Sequence, residues 1–510
     1  MRRPALGAAL LAALALLLLN PPASAAPDRT FSTPVIVDAS RAQSTGEPSI
    51  DVAPDGTIYV VAPGGPGVRT PASLGAGGLG GNYLWRSDDK GATWSFLGSF
   101  DVPTGGGDAD IVVAPNGNLY ASGLSFVACS TVSVSSDRGE TFVPVPVAGC
   151  GQIPLSNDRQ WSAADGNTTL YTSIGNTFDR SIDLIRSTIT ANAAAIPSVT
   201  MTLSDTPDYQ WPGSIVVDAR NGTAYTVWNT FGAPNECDAE ECTEPASSRV
   251  PDRILISVLP RGSTTPPPPV LVAEREFDTF DSFVANAVDK AGNVYVVWNE
   301  RHDTLQETWV MLARSSDGGA TWSAPVKVNS TPKTATFPWV TAGADGRIAV
   351  SYYGTLGKGS SPQRVESDVL WQAFSAFSSD GGRTFTEYRT TGDLNVGQIC
   401  TSGTGCERGG RNLLDFFETA IDAEGCLLTA FTDNSTGTPF IAFGRQTKGP
   451  GLIAGKVCGN AVAAPAPIAA PVTAPKKAPG KDRLAATGLP VGVAILGAGL
   501  MALVLWRRRA

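Results

Sequence analysis

Ser315-Ser316-Asp317-Gly318-Gly319-Ala320-Thr321-Trp322 has three counterparts elsewhere in the chain. They are Ser87-Asp88-Asp89-Lys90-Gly91-Ala92-Thr93-Trp94, Ser135-Ser136-Asp137-Arg138-Gly139-Glu140-Thr141-Phe142 and Ser378-Ser379-Asp380-Gly381-Gly382-Arg383-Thr384-Phe385. The common pattern is S-x-D-x-G-x-T-[WF]. Its parts have separate physical roles. The Asp accepts hydrogen bonds from backbone N–H groups of its own turn. The Gly adopts the positive φ that a tight hairpin needs. The Thr and the aromatic residue resume an extended strand, and the ring anchors it on a core. Four copies predict four hairpins of one kind, with Asp89, Asp137, Asp317 and Asp380 as structural residues. Trp94, Phe142, Trp322 and Phe385 are expected to lie buried between sheets.

A second repeat interleaves with the first: an apolar strand, a turn with Gly, and a second apolar strand. Its turn glycines are Gly56, Gly117, Gly166, Gly222, Gly292, Gly346 and Gly425, at intervals of 49 to 79 residues. Charged residues are only 17% of the chain, while Gly and Pro number 55 and 38, which suits many short strands joined by tight turns. The fold class is all-β. Seven strand–turn–strand units predict a seven-bladed β-propeller, with six blades the alternative. The segments Asp183-Leu184-Ile185-Arg186 and Arg253-Ile254-Leu255-Ile256 read as third strands of blades that lack the Asp-containing turn. Phe31-Ser32-Thr33-Pro34-Val35-Ile36-Val37 matches the outer-strand pattern Trp322 to Val328, so the N-terminal strand is expected to complete the last blade and close the ring.

The S-x-D-x-G-x-T-[WF] turns resemble Asp-box (BNR) repeats, and the chain as a whole resembles Asp-box β-propellers of the sialidase superfamily. In that family the Asp-boxes lie away from the active site. Sialidases hold a carboxylate with three arginines and use a Tyr nucleophile assisted by a Glu, with an Asp as acid. The resemblance implies Arg159, Arg301 and Arg411 as the clamp and Tyr353 with Glu300 or Glu418 as the nucleophile pair. Bidentate arginine pairing suits an anionic sugar. Two departures stand against this. The family's first arginine belongs to an R-I-P motif, where this chain has Gly46-Glu47-Pro48-Ser49-Ile50. The loop before the first Asp-box, Ala62 to Tyr83, holds no carboxylate for the acid role. The competing reading makes each arginine an ordinary ion-pair residue.

Propellers bind at the central mouth, where the chain runs into first strands and out of second strands. Candidates before first strands are Glu47, Asp108, Asp158, Arg159, Trp211, Asp281, Arg411 and Asp415. Those after second strands are Asn229, Asn299, Glu300, Arg301, Tyr353 and Asp433. Two functions compete: recognition of an extracellular ligand, a glycan or glycoprotein, at the mouth, and exo-glycosidase action on acidic glycans. A third reading is a rigid wall spacer. A net charge of −9 without a basic stripe argues against nucleic acid. No cofactor is implied. His302 is the only histidine, which excludes a multi-histidine metal site. The loop Glu236-Cys237-Asp238-Ala239-Glu240-Glu241-Cys242 reads first as a solvated acidic loop, and secondarily offers oxygen ligands for calcium. Gly75-Ala76-Gly77-Gly78-Leu79-Gly80 fits a dinucleotide pattern but precedes no helix, so it reads as a loop.

The termini describe export. Residues 1–25 read as a signal peptide cut after Ala25. Residues 27–460 form the propeller, 461–483 an Ala/Pro/Lys-rich linker, and 484–510 an anchor. Leu484-Ala485-Ala486-Thr487-Gly488, the apolar run Leu489 to Trp506 and Arg507-Arg508-Arg509 resemble a sortase cell-wall sorting signal of the L-A-x-T-G kind. The resemblance implies cleavage between Thr487 and Gly488 by a sortase and covalent attachment to peptidoglycan. A plain transmembrane anchor is the alternative. Eight cysteines in an exported chain predict disulfides, with Cys129–Cys150, Cys237–Cys242, Cys400–Cys406 and Cys426–Cys458 the short-range pairings.

Overall fold

The computed structural model describes residues 28–459 except 38–44, 65–80, 102–105, 126–128, 149–156, 177–179, 191–197, 205, 207, 232–250, 280–281, 402–405 and 407–409. The signal peptide, linker and sorting signal lie outside the described residues, as do the acidic loop 236–242 and the glycine-rich run 75–80. Described residues form an all-β β-propeller whose only helical element is the 3-10 turn Pro362–Arg364. No helix among them is long and apolar enough to cross a membrane.

Each predicted strand–turn–strand unit is an antiparallel pair. They are Ser49–Val52 with Ile58–Ala62, Ala109–Val113 with Leu119–Ser125, and Asn157–Asp165 with Thr169–Asn176. Then come Tyr209–Val217 with Ala224–Phe231, and Ala285–Val288 with Val294–His302. Thr334–Ala342 with Ile348–Thr355, and Glu418–Ile421 with Leu427–Asp433, complete the set. All the turn glycines named above have positive φ, which a Cβ-bearing residue adopts only at a cost. The first strand of each pair packs on the first strand of the next, and Glu418–Ile421 packs back on Ser49–Val52, so the inner strands close a ring.

The seven separate sheets expected are six. Thr308 bridges Thr334 in parallel and fuses two neighbouring meanders into one nine-stranded sheet. The other five sheets have four strands, or six where the chain ends meet. In that six-stranded sheet Val35–Ile36 pairs with Phe443 and Ala442, and Thr30–Phe31 pairs near Lys448 and Gln446. The N-terminal strand therefore completes the last sheet as the sequence pattern predicts. Strands Ile182–Thr188 and Asp252–Leu259 are the expected third strands. Two of the predicted disulfides are described, Cys400–Cys406 and Cys426–Cys458, and the second ties Val457–Cys458 to the last sheet. Cys150, Cys237 and Cys242 lie outside the described residues.

The four Asp turns share one bonding pattern. Asp317 Oδ1 accepts from Thr321 N at 3.0 Å and from Ser315 Oγ at 2.7 Å, and Gly319 N donates to Ser315 Oγ at 2.8 Å. Asp89, Asp137 and Asp380 repeat it. Hydrogen bonds from Thr321 hold the Asp317 carboxyl down, at about 2, and those from Thr141 do the same for Asp137. The aromatic residues that follow are half-buried rather than buried. Each packs sideways on the preceding sheet: Trp94 lies 5.2 Å from Phe443, Phe142 5.9 Å from Phe100, and Trp322 joins the cluster of Tyr225 and Ile256. A ring wedged between two sheet edges keeps one face in solvent, which is why full burial fails.

Candidate functional site

The site is built where the inner strands begin. There Glu47, Arg159, Phe337 and Leu414 all have positive φ, between 47° and 60°. Register shifts fall at Asp158/Gln160, Pro212/Ile215 and Thr336/Trp339. Bulges re-aim side chains at strand ends and recur near functional sites, and non-glycine residues in this region carry backbone strain.

Two guanidinium–carboxylate groups result. In the inner one, Arg159 is 1% exposed. Its Nη2 lies 3.7 Å from Glu418 Oε1, and its Nη1 donates to Ala109 O at 3.3 Å. The guanidinium lies 4.2 Å over the Trp161 ring and 3.7 Å over Phe416, a cation held between aromatic faces. Asp110 accepts from Ser49 Oγ at 2.8 Å and Ser162 N at 2.6 Å, so it links three successive inner strands. Burial raises the Asp110 carboxyl and Arg159 opposes the rise. Burial, with the charge of Asp110 added, pushes Glu418 up to about 8.

In the outer group Arg411 Nη2 bonds Glu47 Oε1 at 2.9 Å and also contacts Asp415 Oδ2. Two carboxyl oxygens on one nitrogen lie within two hydrogen-bond lengths, about 6 Å, of each other. Burial pushes Glu47 well above the carboxylate range, and Asp415 and Asp108 push it further. Burial also raises Asp415, against the pull of Arg411. The Arg411 side chain is 29% exposed and that of Asp415 21%, so this group faces solvent while the inner one does not.

Phe416, next to Asp415, begins an aromatic layer across the ring. Trp161 lies 4.9 Å from Phe283 and 6.0 Å from Phe416, and half-buried Trp339 is 6.4 Å from Trp161. Half-buried Trp211 stacks on Phe283 at 5.5 Å and 16°. The axis is thus closed by rings, with carboxyl groups and guanidinia beside them.

The remaining sequence candidates are placed elsewhere or serve the fold. Arg301 bonds Asp278 at 2.7 Å and Ser360 O at 3.2 Å. Glu300 is held by Arg275 and by Trp298 Nε1 at 2.9 Å, and lies 3.5 Å from His302 Nε2. His302 itself is packed between Phe277 and Trp309. Tyr353 is fully buried, its hydroxyl accepting from Thr432 N at 2.9 Å, and burial drives its pKa upward. The structure brings Arg159 and Arg411 to the ring, each already paired with carboxyl groups. It does not bring Arg301 to them, nor Tyr353 to Glu300. Glu418 meets Arg159. Asn229 and Asn299 bond the carbonyls of Thr279 and Ala335, stitching neighbouring units. Asp433 bonds the backbone of Ser435. The Asp158 side chain and all of Asp281 lie outside the described residues.

Sequence reading named Glu47, Asp108, Arg159, Arg411 and Asp415 but missed Asp110 and Phe416. The signal for Asp110 was a carboxylate inside an otherwise apolar first strand, Ala109-Asp110-Ile111-Val112. Among the described residues no group of three or more His, Cys, Asp or Glu is placed to hold a metal ion. A surface cavity of about 650 Å³ lies at the opposite, turn end. Its charges pair with one another, Arg86 with Glu140 and Arg138 with Asp88.

No family model matches the chain, and no curated protein matches it. Solved structures do. A Dyadobacter fermentans protein of unknown function is 13% identical over 82% of this chain and 99% of its own, with a TM-score of 0.43. A Penicillium chrysogenum alpha-L-arabinanase is 12% identical over 82% and 98%, with a TM-score of 0.44. The Fusarium graminearum alpha-L-arabinofuranosidase Arb93A is 13% identical over 82% and 96%, with a TM-score of 0.41. At such values neither residues nor activities are carried across.

Proposed function

We propose that this chain is a glycan-recognising β-propeller that binds its ligand at the mouth of the ring. The observation that carries the reading is the Arg411–Glu47–Asp415 group, partly open to solvent, beside an aromatic layer with Trp211 and Trp339 half-exposed. Sugar rings stack their C–H faces on aromatic rings while their hydroxyls bond fixed charged groups, and this mouth offers both kinds of surface. Seven blades, as the Asp-box resemblance implies, are the proposed count, and the support for it is that the nine-stranded sheet contains two strand–turn–strand units. Export and attachment to the cell wall through Thr487 complete the proposal, and they rest on the sequence pattern alone. Calcium at the 236–242 loop is not needed for it.

A second reading is hydrolysis, and one observation favours it. Glu47 is a carboxyl group whose burial disfavours its ionisation, within about 6 Å of Asp415. A protonated acid beside a second carboxylate is the pairing that glycoside hydrolysis uses. The test is a glycan array probed with the purified full chain, followed by turnover assays on every glycan bound. Binding without release of product supports recognition. Release that Glu47→Gln abolishes, with binding kept, replaces recognition by hydrolysis. A chain that binds no glycan refutes both.

A further inference from the structure

Both mouth arginines are already neutralised. Arg411 bonds two carboxyl groups through one nitrogen, and Arg159 lies between Glu418 and two aromatic faces. A ligand carboxylate would therefore meet guanidinium charge already matched by carboxyl groups and would sit beside Asp415. The clamp that an acidic sugar needs is occupied from within the chain.

The unpaired atoms add an independent constraint. The inner pair, Arg159 with Glu418, is closed off from any ligand, so the constraint comes from the outer group. There Arg411 Nε and Asp415 Oδ1 are unpaired, and their own side chains are 29% and 21% exposed. Buried polar atoms without partners are rare and costly. Here they comprise donors and acceptors together. A carboxylate only accepts and an ammonium group only donates, so each satisfies one half and opposes the other. A sugar hydroxyl does both.

We propose that the mouth selects a neutral, hydroxyl-rich saccharide and discriminates against carboxylated and amine-bearing ones. This rests on the glycan-recognition reading and narrows it. Discrimination arises from leaving a buried charge or donor unmatched, an effect far larger than the gain of one extra hydroxyl contact.

The test measures binding of the purified full chain to three sets of oligosaccharides by titration calorimetry. The neutral set is cellohexaose, mannohexaose and arabinohexaose. The carboxylated set is hexagalacturonate and sialyllactose, and the amine-bearing probe is hexaglucosamine. The expected result is binding to at least one neutral oligomer, about tenfold or more above any charged one, and nearly independent of salt because no net charge is paired. Asp415→Asn should weaken that binding about tenfold or more. Trp211→Ala should do so independently, guarding against a misfolded Asn variant, and Asp88→Asn at the opposite end should not. Preference for hexagalacturonate, sialyllactose or hexaglucosamine overturns this inference and leaves glycan recognition standing. Binding of none of the oligomers overturns the glycan reading itself.

Discussion

Replacing Glu418 by Gln tests the electrostatics of the ring axis. Glu418 shares Arg159 with Asp110, so one guanidinium faces two buried carboxyl groups. Burial and the Asp110 charge outweigh the arginine and lift Glu418 from its ordinary 4.5 to about 8. The folded chain then holds this proton well past the pH at which the unfolded chain releases it. The stabilisation is complete below about 4.5 and is lost as pH rises through about 8. At about 1.4 kcal/mol per tenfold change in proton affinity, the rise from 4.5 to about 8 corresponds to about 4–5 kcal/mol as the upper end. Gln is the neutral isostere and does not titrate. The difference in unfolding free energy, variant minus parent, should therefore rise by up to that amount between pH 4 and pH 9. Asp101, raised to about 7, and Asp51, raised to about 6, steepen the parent's own decline but cancel in the difference. Urea unfolding followed by fluorescence is the assay, since eleven tryptophans report the transition. A difference that is flat with pH, or that falls, would show that Arg159 keeps Glu418 ionised, and the account of the axis would be wrong.

Three further outcomes are expected. Trp322→Ala should cost about 2 kcal/mol, roughly half the value for a fully buried Trp, because the ring is only half-buried against the preceding sheet; thermal or urea unfolding measures it. Replacing Cys426 and Cys458 together by Ser opens a closure spanning 32 residues and should cost about 3–4 kcal/mol, read by urea titration of oxidised parent and variant. Thr487→Ala should move the protein from the wall fraction to the membrane fraction, and a parent extracted by detergent alone, still carrying Trp506, would leave a simple membrane anchor in its place.

The architecture was legible because its signals are local. The turn pattern around Asp317 fixes a hairpin through contacts within seven residues, and each turn glycine marks a backbone shape few other residues tolerate. The completion of the last sheet was also legible, because the sequence from Phe31 repeats an outer-strand pattern that Phe440–Pro450 lacks a partner for. The sheet count was not. Fusion of two meanders depends on one parallel bridge, Thr308 to Thr334, which no turn residue announces.

The site was legible in position but not in pairing, and the reason bears on function. Loop position alone places Glu47, Asp108, Arg159, Arg411 and Asp415 at the ring, since every inner strand must begin there. What each arginine meets is a non-local fact: Arg411 and Glu47 are 364 residues apart, and Arg159 and Glu418 are brought together only by ring closure. The absence of an arginine in Gly46-Glu47-Pro48 was visible in the sequence, and what Glu47 does there appears only in three dimensions. Glu47 stands beside Arg411 and occupies one of its donors. In this group cation and carboxyl groups neutralise each other, and the proposed preference for hydroxyl pattern over charge rests on that pairing. If that pairing sets the preference, Glu47→Ala should uncover Arg411 and raise affinity for sialyllactose or hexagalacturonate from none to measurable, in a salt-dependent manner, while weakening neutral oligomers. Calorimetry at low and high salt reads both effects. Unchanged discrimination in the variant, with the fold intact by fluorescence, would mean that Glu47 does not set the charge preference of the mouth.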